Sequence, residues 1–234
     1  MNISFVCEFL NYPETFSLSK GEEIGISMEN KFFIELQNVS FKYPGSDAVI
    51  IKNINLKLRS NEKIAIVGLN GAGKTTLIKL ICGLLDPTEG SIYVNGVDIK
   101  KLNRTQYYGL ISAVFQESCL PENEKLSTGQ LQQKLIERAR EKNGLIMILD
   151  EPTASLDPRA ERRVYERYNE MAEGKISVFI SHRLASTLFC ERILFMENGQ
   201  IAEEGSHEEL ISKNCKYARL YNVQSHYYKA QEGL

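Results

Sequence analysis

The chain of 234 residues is 43% hydrophobic and 25% charged, which is the balance of a folded globular protein rather than of a disordered one. Its formal net charge of −2 gives no electrostatic basis for general binding to nucleic acid or to anionic membranes. No stretch approaches the about 20 consecutive apolar residues needed to cross a bilayer, so these features predict a cytoplasmic domain large enough to bury a core.

The first 30 residues differ from the rest of the chain. They contain five Glu, one Lys, and the turn-forming residues Pro13, Gly21 and Gly25. Such an acidic, turn-rich stretch is typical of a linker or arm, although it is equally consistent with an edge piece packed on the main domain. We therefore assign residues 1–30 to an N-terminal linker or arm and residues 31–234 to the main domain.

From Phe32 onward, two strands with apolar residues at every second position are followed by short buried strands that alternate with helices. Buried strands are predicted at Lys63–Val67, Ile111–Phe115, Leu145–Leu149 and Ser177–Ile180. Helices are predicted at Lys74–Cys82, Ser127–Lys142 and Pro158–Ala172. This alternation predicts an α/β fold with a mostly parallel sheet covered by helices on both faces. Asn198-Gly199 predicts a hairpin, and Ser206 with Glu209 predicts a helix that begins with a capping box.

A glycine-rich segment follows the first buried strand and leads directly into a helix. Its pattern, GxxxxGK[ST], is the P-loop, in which backbone N–H groups and a helix N-terminus surround phosphate groups. Lys74 is expected to reach the outer phosphates, and the Thr75 hydroxyl to bind Mg²⁺. The predicted nucleotide-binding residues of this segment are Gly68, Leu69, Asn70, Gly71, Ala72, Gly73, Lys74, Thr75 and Thr76.

Two acidic residues, Asp150 and Glu151, follow the apolar run at residues 146–149. The carboxyl ends of parallel strands are where open α/β sheets bind ligands. We expect Asp150 to bind Mg²⁺ together with Thr75, and Glu151 to act as the general base for a water that attacks the γ-phosphate. Together with the P-loop, these residues predict phosphoryl transfer.

These motifs, together with Leu126-Ser-Thr-Gly-Gln130, identify a resemblance to the nucleotide-binding domain of ABC transporters, from about Phe33 to Tyr228. The resemblance implies a P-loop NTPase core with an N-terminal antiparallel β subdomain. It also implies ATP and Mg²⁺ as cofactors, and a second copy of the domain that binds head-to-tail when ATP is present.

The resemblance further assigns roles to residues outside the P-loop. Tyr43 matches the aromatic residue that stacks on adenine, and Asp157 lies in the segment that matches the D-loop. Gln116 matches the Q-loop glutamine, with catalytic and metal-binding roles, and His182 matches the switch histidine. The signature residues that would contact the nucleotide of the partner copy are Ser127, Gly129 and Gln130.

The chain departs from the family between Gln116 and Ser127, which are only 11 positions apart. In the family this interval holds a helical subdomain of several tens of residues, so residues 117–126 are a truncated insert and most of that subdomain is absent. Thr128 also replaces the first glycine of the signature, and Gln133 stands where an arginine is common.

The ends of the chain resemble those of the ATPase domain in single-chain ABC exporters. Residues 8–14 are similar to the stretch after the last membrane helix, and residues 205–210 and 217–221 are similar to the exporter tail. The sequence therefore predicts an exporter ATPase domain that powers a separate or missing transmembrane domain at the inner face of the membrane. Two alternatives stay open: an ATP-binding core without competent hydrolysis, and a soluble ABC ATPase that does not act in transport.

Overall fold

A computed structural model of the protein describes residues 21–25, 32–115, 128–151, 158–181 and 184–232. In chain order the elements are β1 (Phe33–Lys42), β2 (Val49–Arg59), β3 (Glu62–Gly68), α1 (Lys74–Ile81), β4 (Glu89–Val94), β5 (Val97–Asp98), α2 (Arg104–Gly109), β6 (Ile111–Val114), α3 (Thr128–Lys142), β7 (Ile146–Asp150), α4 (Pro158–Met171), β8 (Ile176–Ile180), a 3₁₀ helix (Leu184–Phe189), β9 (Arg192–Glu197), β10 (Gln200–Gly205), α5 (His207–Ser212) and α6 (Lys216–Glu232).

The strands form two sheets. One has four strands in the order β2-β1-β4-β5, with antiparallel neighbours throughout. The other has six strands in the order β10-β9-β3-β8-β7-β6, in which all neighbours are parallel except the β9–β10 hairpin. The predicted α/β fold, with a mostly parallel sheet and an N-terminal antiparallel β subdomain, is therefore confirmed.

The mostly parallel sheet is buried on both faces, as its uninterrupted apolar strands predict. In β3, Ile64 and Ile66 pack into a core shared with the antiparallel sheet and α1. Ala65 and Val67 point to the opposite face, where they pack with residues of α3, α4 and α6. Because β3 is buried on both faces, it holds the beginning of the glycine-rich loop between β3 and α1 in a fixed position.

Five elements have no counterpart among the predictions from sequence: β4, β5, α2, the 3₁₀ helix and α6. Strand β5 has two residues and α2 has six, which is too short for a periodic pattern. Helix α2 instead depends on local contacts, since the Asn103 side chain accepts a hydrogen bond from Gln106 N. The fully buried Arg104 donates to Asp86 Oδ1 at 2.5 Å and to Gly83 O at 2.7 Å, which anchors α2 to the end of α1.

Five residues of the N-terminal segment, 21–25, lie against the main domain. Glu22 N donates to Lys101 O at 2.8 Å, and Asn103 N donates to Glu22 O at 3.1 Å. For these residues the structure agrees with the packed edge piece rather than with a free linker. Residues 1–20 and 26–30 lie outside the described ranges, and the domain boundaries stay a prediction.

Only residues 115–127 connect β6 to α3, and residues 116–127 of this connection lie outside the described part of the chain. A connection of this length confirms that the helical subdomain is reduced. Among the described helices, none is long and apolar enough to cross a membrane.

Candidate functional site

The P-loop connects the buried strand β3 to α1, and its backbone geometry requires glycine. Gly73 is the N-cap of α1 and has a φ of 100°, in the left-handed region. A Cβ at Gly68 would lie 2.2 Å from Met196 O, so no other residue fits there without moving the backbone. No side chain caps α1, so its first N–H groups are available to an anion, as at other phosphate-binding helix N-termini.

Lys74, the first residue of α1, is only 6% exposed. Its Nζ donates to Gly68 O at 2.9 Å and to Leu69 O at 3.2 Å, so the ammonium group lies within the loop. Burial lowers the pKa of Lys74, whereas the nearby carboxylates of Glu151 and Asp150 favour its charged form. A buried cation whose hydrogen bonds to the described residues go to carbonyl oxygens is well suited to bind phosphate oxygens.

Thr75 and Asp150 meet at the carboxyl ends of β3 and β7, although β8 lies between these strands. Thr75 Oγ1 donates to Asp150 Oδ2 at 3.2 Å. The other carboxylate oxygen, Asp150 Oδ1, is buried and has no hydrogen-bond partner among the described residues. Burial raises the pKa of Asp150, while the bond from Thr75 acts in the opposite direction.

A divalent cation fits this pair. Mg²⁺ prefers hydroxyl and carboxylate oxygens, keeps several waters and takes its remaining ligands from substrate phosphates rather than from a protein cage. The described residues accordingly contain no cluster of three or more His, Cys, Asp or Glu side chains that could hold a metal by themselves. The unpartnered Oδ1 of Asp150 is the atom that such a cation would satisfy.

Glu151 has an unusual backbone conformation. Eight non-glycine residues in the described ranges have positive φ; seven are Asn, which tolerates this region, and the eighth is Glu151, with a φ of 51°. Its N–H donates to Ile180 O at 3.0 Å, which fixes the residue to β8. Strained residues of this kind cluster at functional sites, and this signal is invisible in the sequence.

Tyr43 approaches the P-loop from the end of β1. Its hydroxyl lies 3.2 Å from Thr76 Oγ1, within hydrogen-bond distance, and its ring makes an edge contact with Phe41 at 4.9 Å. The side chain is 37% exposed. The ring is therefore held beside α1 while part of its surface stays accessible to a planar ligand.

The ring of Tyr43, rather than its hydroxyl, is expected to bind adenine. Base stacking contributes about 1–3 kcal/mol, so Tyr43→Ala should weaken ATP binding about 5- to 150-fold, whereas Tyr43→Phe should change it little. Equilibrium titration with ATP measures both variants, and inorganic triphosphate, which has no base, is the control ligand. If Tyr43→Phe and Tyr43→Ala lost the same ATP affinity, the effect would be due to the hydrogen bond between Tyr43 and Thr76 rather than to stacking.

The hairpin turn at Asn198-Gly199 supports the P-loop, a role that the sequence did not indicate. Gly199 N donates to Ala72 O at 3.2 Å, and Lys52 N donates to Gly199 O at 2.9 Å. The turn thus joins the P-loop to the antiparallel sheet.

The structure brings together Tyr43, the P-loop, Asp150 and Glu151. Gly129 and Gln130 lie in the first turn of α3, and the Gln130 side chain is exposed. The remaining predicted site residues, Gln116, Ser127, Asp157 and His182, lie outside the described ranges.

Comparison with known proteins places this chain in a family. The model of the ABC transporter family matches residues 51–124. The subtilin transport ATP-binding protein SpaT of Bacillus subtilis is 33% identical over 271 aligned positions, which cover 94% of this chain and 44% of SpaT. The chain belongs to the ABC transporter family.

Further similarities support the assignment to an ABC exporter ATP-binding domain. An ATP-dependent lipid A-core flippase of Syntrophus aciditrophicus (strain SB) is 33% identical, with 82% of this chain and 39% of the flippase covered. The structure of a bacterial Atm1-family ABC exporter with ATP bound superposes with a TM-score of 0.82 at 24% identity, over 95% of this chain and 46% of the exporter. The chain thus spans less than half the length of these proteins.

The alignment with SpaT is longer than the part of this chain that it covers. It has 271 positions, but 94% of 234 residues is about 220, so about 50 positions of the alignment have no residue from this chain. This number is comparable with the several tens of residues by which the interval between Gln116 and Ser127 is shorter than in the family.

Proposed function

We propose that this chain binds Mg·ATP and hydrolyses it, and that hydrolysis drives export through a transmembrane domain on the same or a separate chain. The observation that carries the proposal is the contact between Thr75 and the buried Asp150 beside the P-loop, where one carboxylate oxygen has no hydrogen-bond partner among the described residues. In the assembled exporter the domain lies at the cytoplasmic face of the membrane.

Binding follows from the geometry of the site. The N–H groups at the start of α1 and the Lys74 ammonium group bind the phosphates, and the Tyr43 ring stacks on adenine. Thr75 and Asp150 would hold Mg²⁺, with Gln116 as a further ligand by resemblance to the family. The ion supplies positive charge that stabilises the developing negative charge on the transferred phosphoryl group.

Hydrolysis requires an attacking water to be oriented and deprotonated. Glu151 follows Asp150 directly, its backbone is held by a hydrogen bond to Ile180 O, and its carboxylate is close enough to act on the charge of Lys74. We assign it as the general base. The family resemblance adds His182 and Gln116 as residues that position the γ-phosphate and the water.

The partner that completes the site is a second copy of the chain in head-to-tail orientation. In this arrangement Ser127, Gly129 and Gln130 of one copy bind the ATP held by the P-loop of the other, and Asp157 lies at the interface. A helix N-terminus binds phosphate for the reason given for α1. Closure of the two copies excludes water and completes the catalytic site, so ATP binding itself drives a movement.

A chain that binds ATP without hydrolysing it is the second candidate, and the reduced helical subdomain is the observation in its favour. Thr128 adds a Cβ and a hydroxyl where a glycine allows close approach to phosphate. A non-transport role has no support from the relatives described above, whose names refer to transport, export or lipid flipping.

Two measurements on the purified chain separate these candidates. Equilibrium titration with ATP, in Mg²⁺ and in EDTA, should show binding that Mg²⁺ strengthens, and phosphate release should show turnover. Binding with turnover supports the proposal, and binding without turnover supports the second candidate. Absence of ATP binding in Mg²⁺ would refute both.

A further inference from the structure

A buried hydrogen-bonded cluster joins the 3₁₀ helix to the two C-terminal helices. The Tyr217 hydroxyl of α6 lies 2.8 Å from Thr187 Oγ1 in the 3₁₀ helix and 2.8 Å from His207 Nδ1 in α5. Thr187 and Tyr217 are both fully buried. Because a phenol hydroxyl donates one hydrogen bond and also accepts, it satisfies both neighbours at once.

The cluster is firmly attached to the rest of the domain. The carboxylate of Glu203 in β10 accepts hydrogen bonds from Lys216 N at 2.7 Å and Tyr217 N at 3.0 Å, at the N-terminus of α6. An acidic group at this end of a helix is also favoured by the helix dipole. Burial raises the pKa of Tyr217 to about 12, so its hydroxyl keeps its proton at neutral pH. Tyr217 is therefore held firmly, and its hydroxyl can fix the positions of Thr187 and His207.

The 3₁₀ helix is held at a second point near its end. The Phe189 ring stacks on Tyr165 of α4, with ring centroids 5.9 Å apart and an interplanar angle of 27°. Tyr165 in turn makes an edge contact with Phe179 of β8 at 5.3 Å. Two separate helices, α6 and α4, thus hold the 3₁₀ helix in place.

The 3₁₀ helix begins immediately after the proposed switch histidine. Ser181, at the end of β8, is 4% exposed, and only His182 and Arg183 separate it from Leu184. Thr187 is five positions after His182. Thr187 is therefore a point close to His182 in the chain at which the 3₁₀ helix is held, and the Tyr217 hydroxyl is one of the groups that hold it.

We propose that Tyr217 is a positioning residue for ATP hydrolysis: its hydroxyl holds Thr187, which lies five positions after His182 in the chain, and thereby restrains the position of that histidine. Tyr217 contacts neither ATP nor the attacking water in this account, and it acts only through the 3₁₀ helix. The proposal rests on the proposed function, in which His182 acts at the γ-phosphate.

The test compares Tyr217→Phe with Tyr221→Phe as a matched control. Both changes remove one phenol hydroxyl from α6, and the two rings stack on each other at 6.2 Å. The Tyr221 hydroxyl, however, makes no hydrogen bond to the residues that the structure describes. Thr187→Val removes the same bond from the other side while keeping the shape of the side chain.

Displacement of a catalytic group by about 1 Å costs up to about 100-fold in rate, so we expect Tyr217→Phe and Thr187→Val each to lower kcat about 10-fold. The KM and the equilibrium affinity for ATP should stay unchanged, and Tyr221→Phe should behave like the unmodified chain. Because both substitutions remove the bond between Tyr217 and Thr187, the loss of kcat in the double variant should be smaller than the product of the two single losses.

Amide hydrogen exchange of residues 184–189 provides a readout that does not depend on turnover. It should be faster in Tyr217→Phe and Thr187→Val but not in Tyr221→Phe, while exchange in β3 and β8 stays unchanged. Normal kcat in Tyr217→Phe and Thr187→Val, or equal losses in Tyr221→Phe, would overturn the positioning role alone. Absence of turnover in the unmodified chain would overturn the proposed function and, with it, the positioning role of Tyr217 in hydrolysis. The exchange data would then test only whether Tyr217 anchors the 3₁₀ helix.

Discussion

Replacement of Lys74 with Ala is expected to abolish ATP binding at concentrations that saturate the unmodified chain. The Lys74 ammonium group is buried in the P-loop, where two backbone carbonyls are its acceptors. Its removal would leave the phosphates without their nearest cation. The loss of one partner from a buried charged contact costs about 2–5 kcal/mol, which corresponds to a decrease in affinity of about 30- to 5,000-fold.

Lys101→Ala is the control for this substitution, because it removes the same charge from an exposed lysine between β5 and α2. Binding is measured by equilibrium titration and by the rise in melting temperature with added Mg·ATP, since a ligand that binds only the folded state stabilises it. If the Lys74 variant and the control bound ATP with equal affinity, the P-loop would not be part of the nucleotide-binding site.

Replacement of Glu151 with Gln is expected to abolish turnover while ATP binding is retained. Gln has the same shape but cannot accept the proton of the attacking water. General base catalysis accelerates such reactions about 100- to 10,000-fold. The turnover rate of the variant should therefore be about 100 to 10,000 times lower than that of the unmodified chain. Because Glu151 is not a proposed ligand of the phosphates or of Mg²⁺, affinity for Mg·ATP should change little.

Glu173→Gln serves as the control, because it neutralises an exposed carboxylate between α4 and β8. Phosphate release and ATP titration are measured on the same preparations. Turnover in the Glu151 variant equal to that of the control would refute the assignment of the general base, and joint loss of binding and turnover would instead indicate a role in the nucleotide site itself.

Much of the fold follows from local sequence patterns. The four apolar residues at 64–67 predict a strand buried on both faces, and β3 is such a strand, with alternate residues in the two halves of the core. Asn198-Gly199 predicts the β9–β10 hairpin, and the Ser206–Glu209 capping box is present at the start of α5. These elements are predictable because the residues that determine them are adjacent in the chain.

Other features depend on residues that are distant in the chain. The positive φ of Glu151 is set by its place at the end of β7 beside β8, and no residue pattern indicates it. The contact of Gly199 with Ala72 and that of Tyr217 with Thr187 join segments 127 and 30 positions apart. The P-loop could be recognised because its residues are contiguous, whereas these supporting contacts exist only in the folded chain.

The central claim is that two copies of this chain hydrolyse ATP at shared sites despite the reduced helical subdomain. The most direct test is the rate of Mg·ATP turnover per chain as the protein concentration increases, with Glu151→Gln measured in parallel. We predict that the turnover rate per chain rises with protein concentration and vanishes in Glu151→Gln, because each P-loop needs the signature residues of a partner. Negligible turnover at every concentration, with normal ATP binding, would contradict it and would leave the chain as an ATP-binding core.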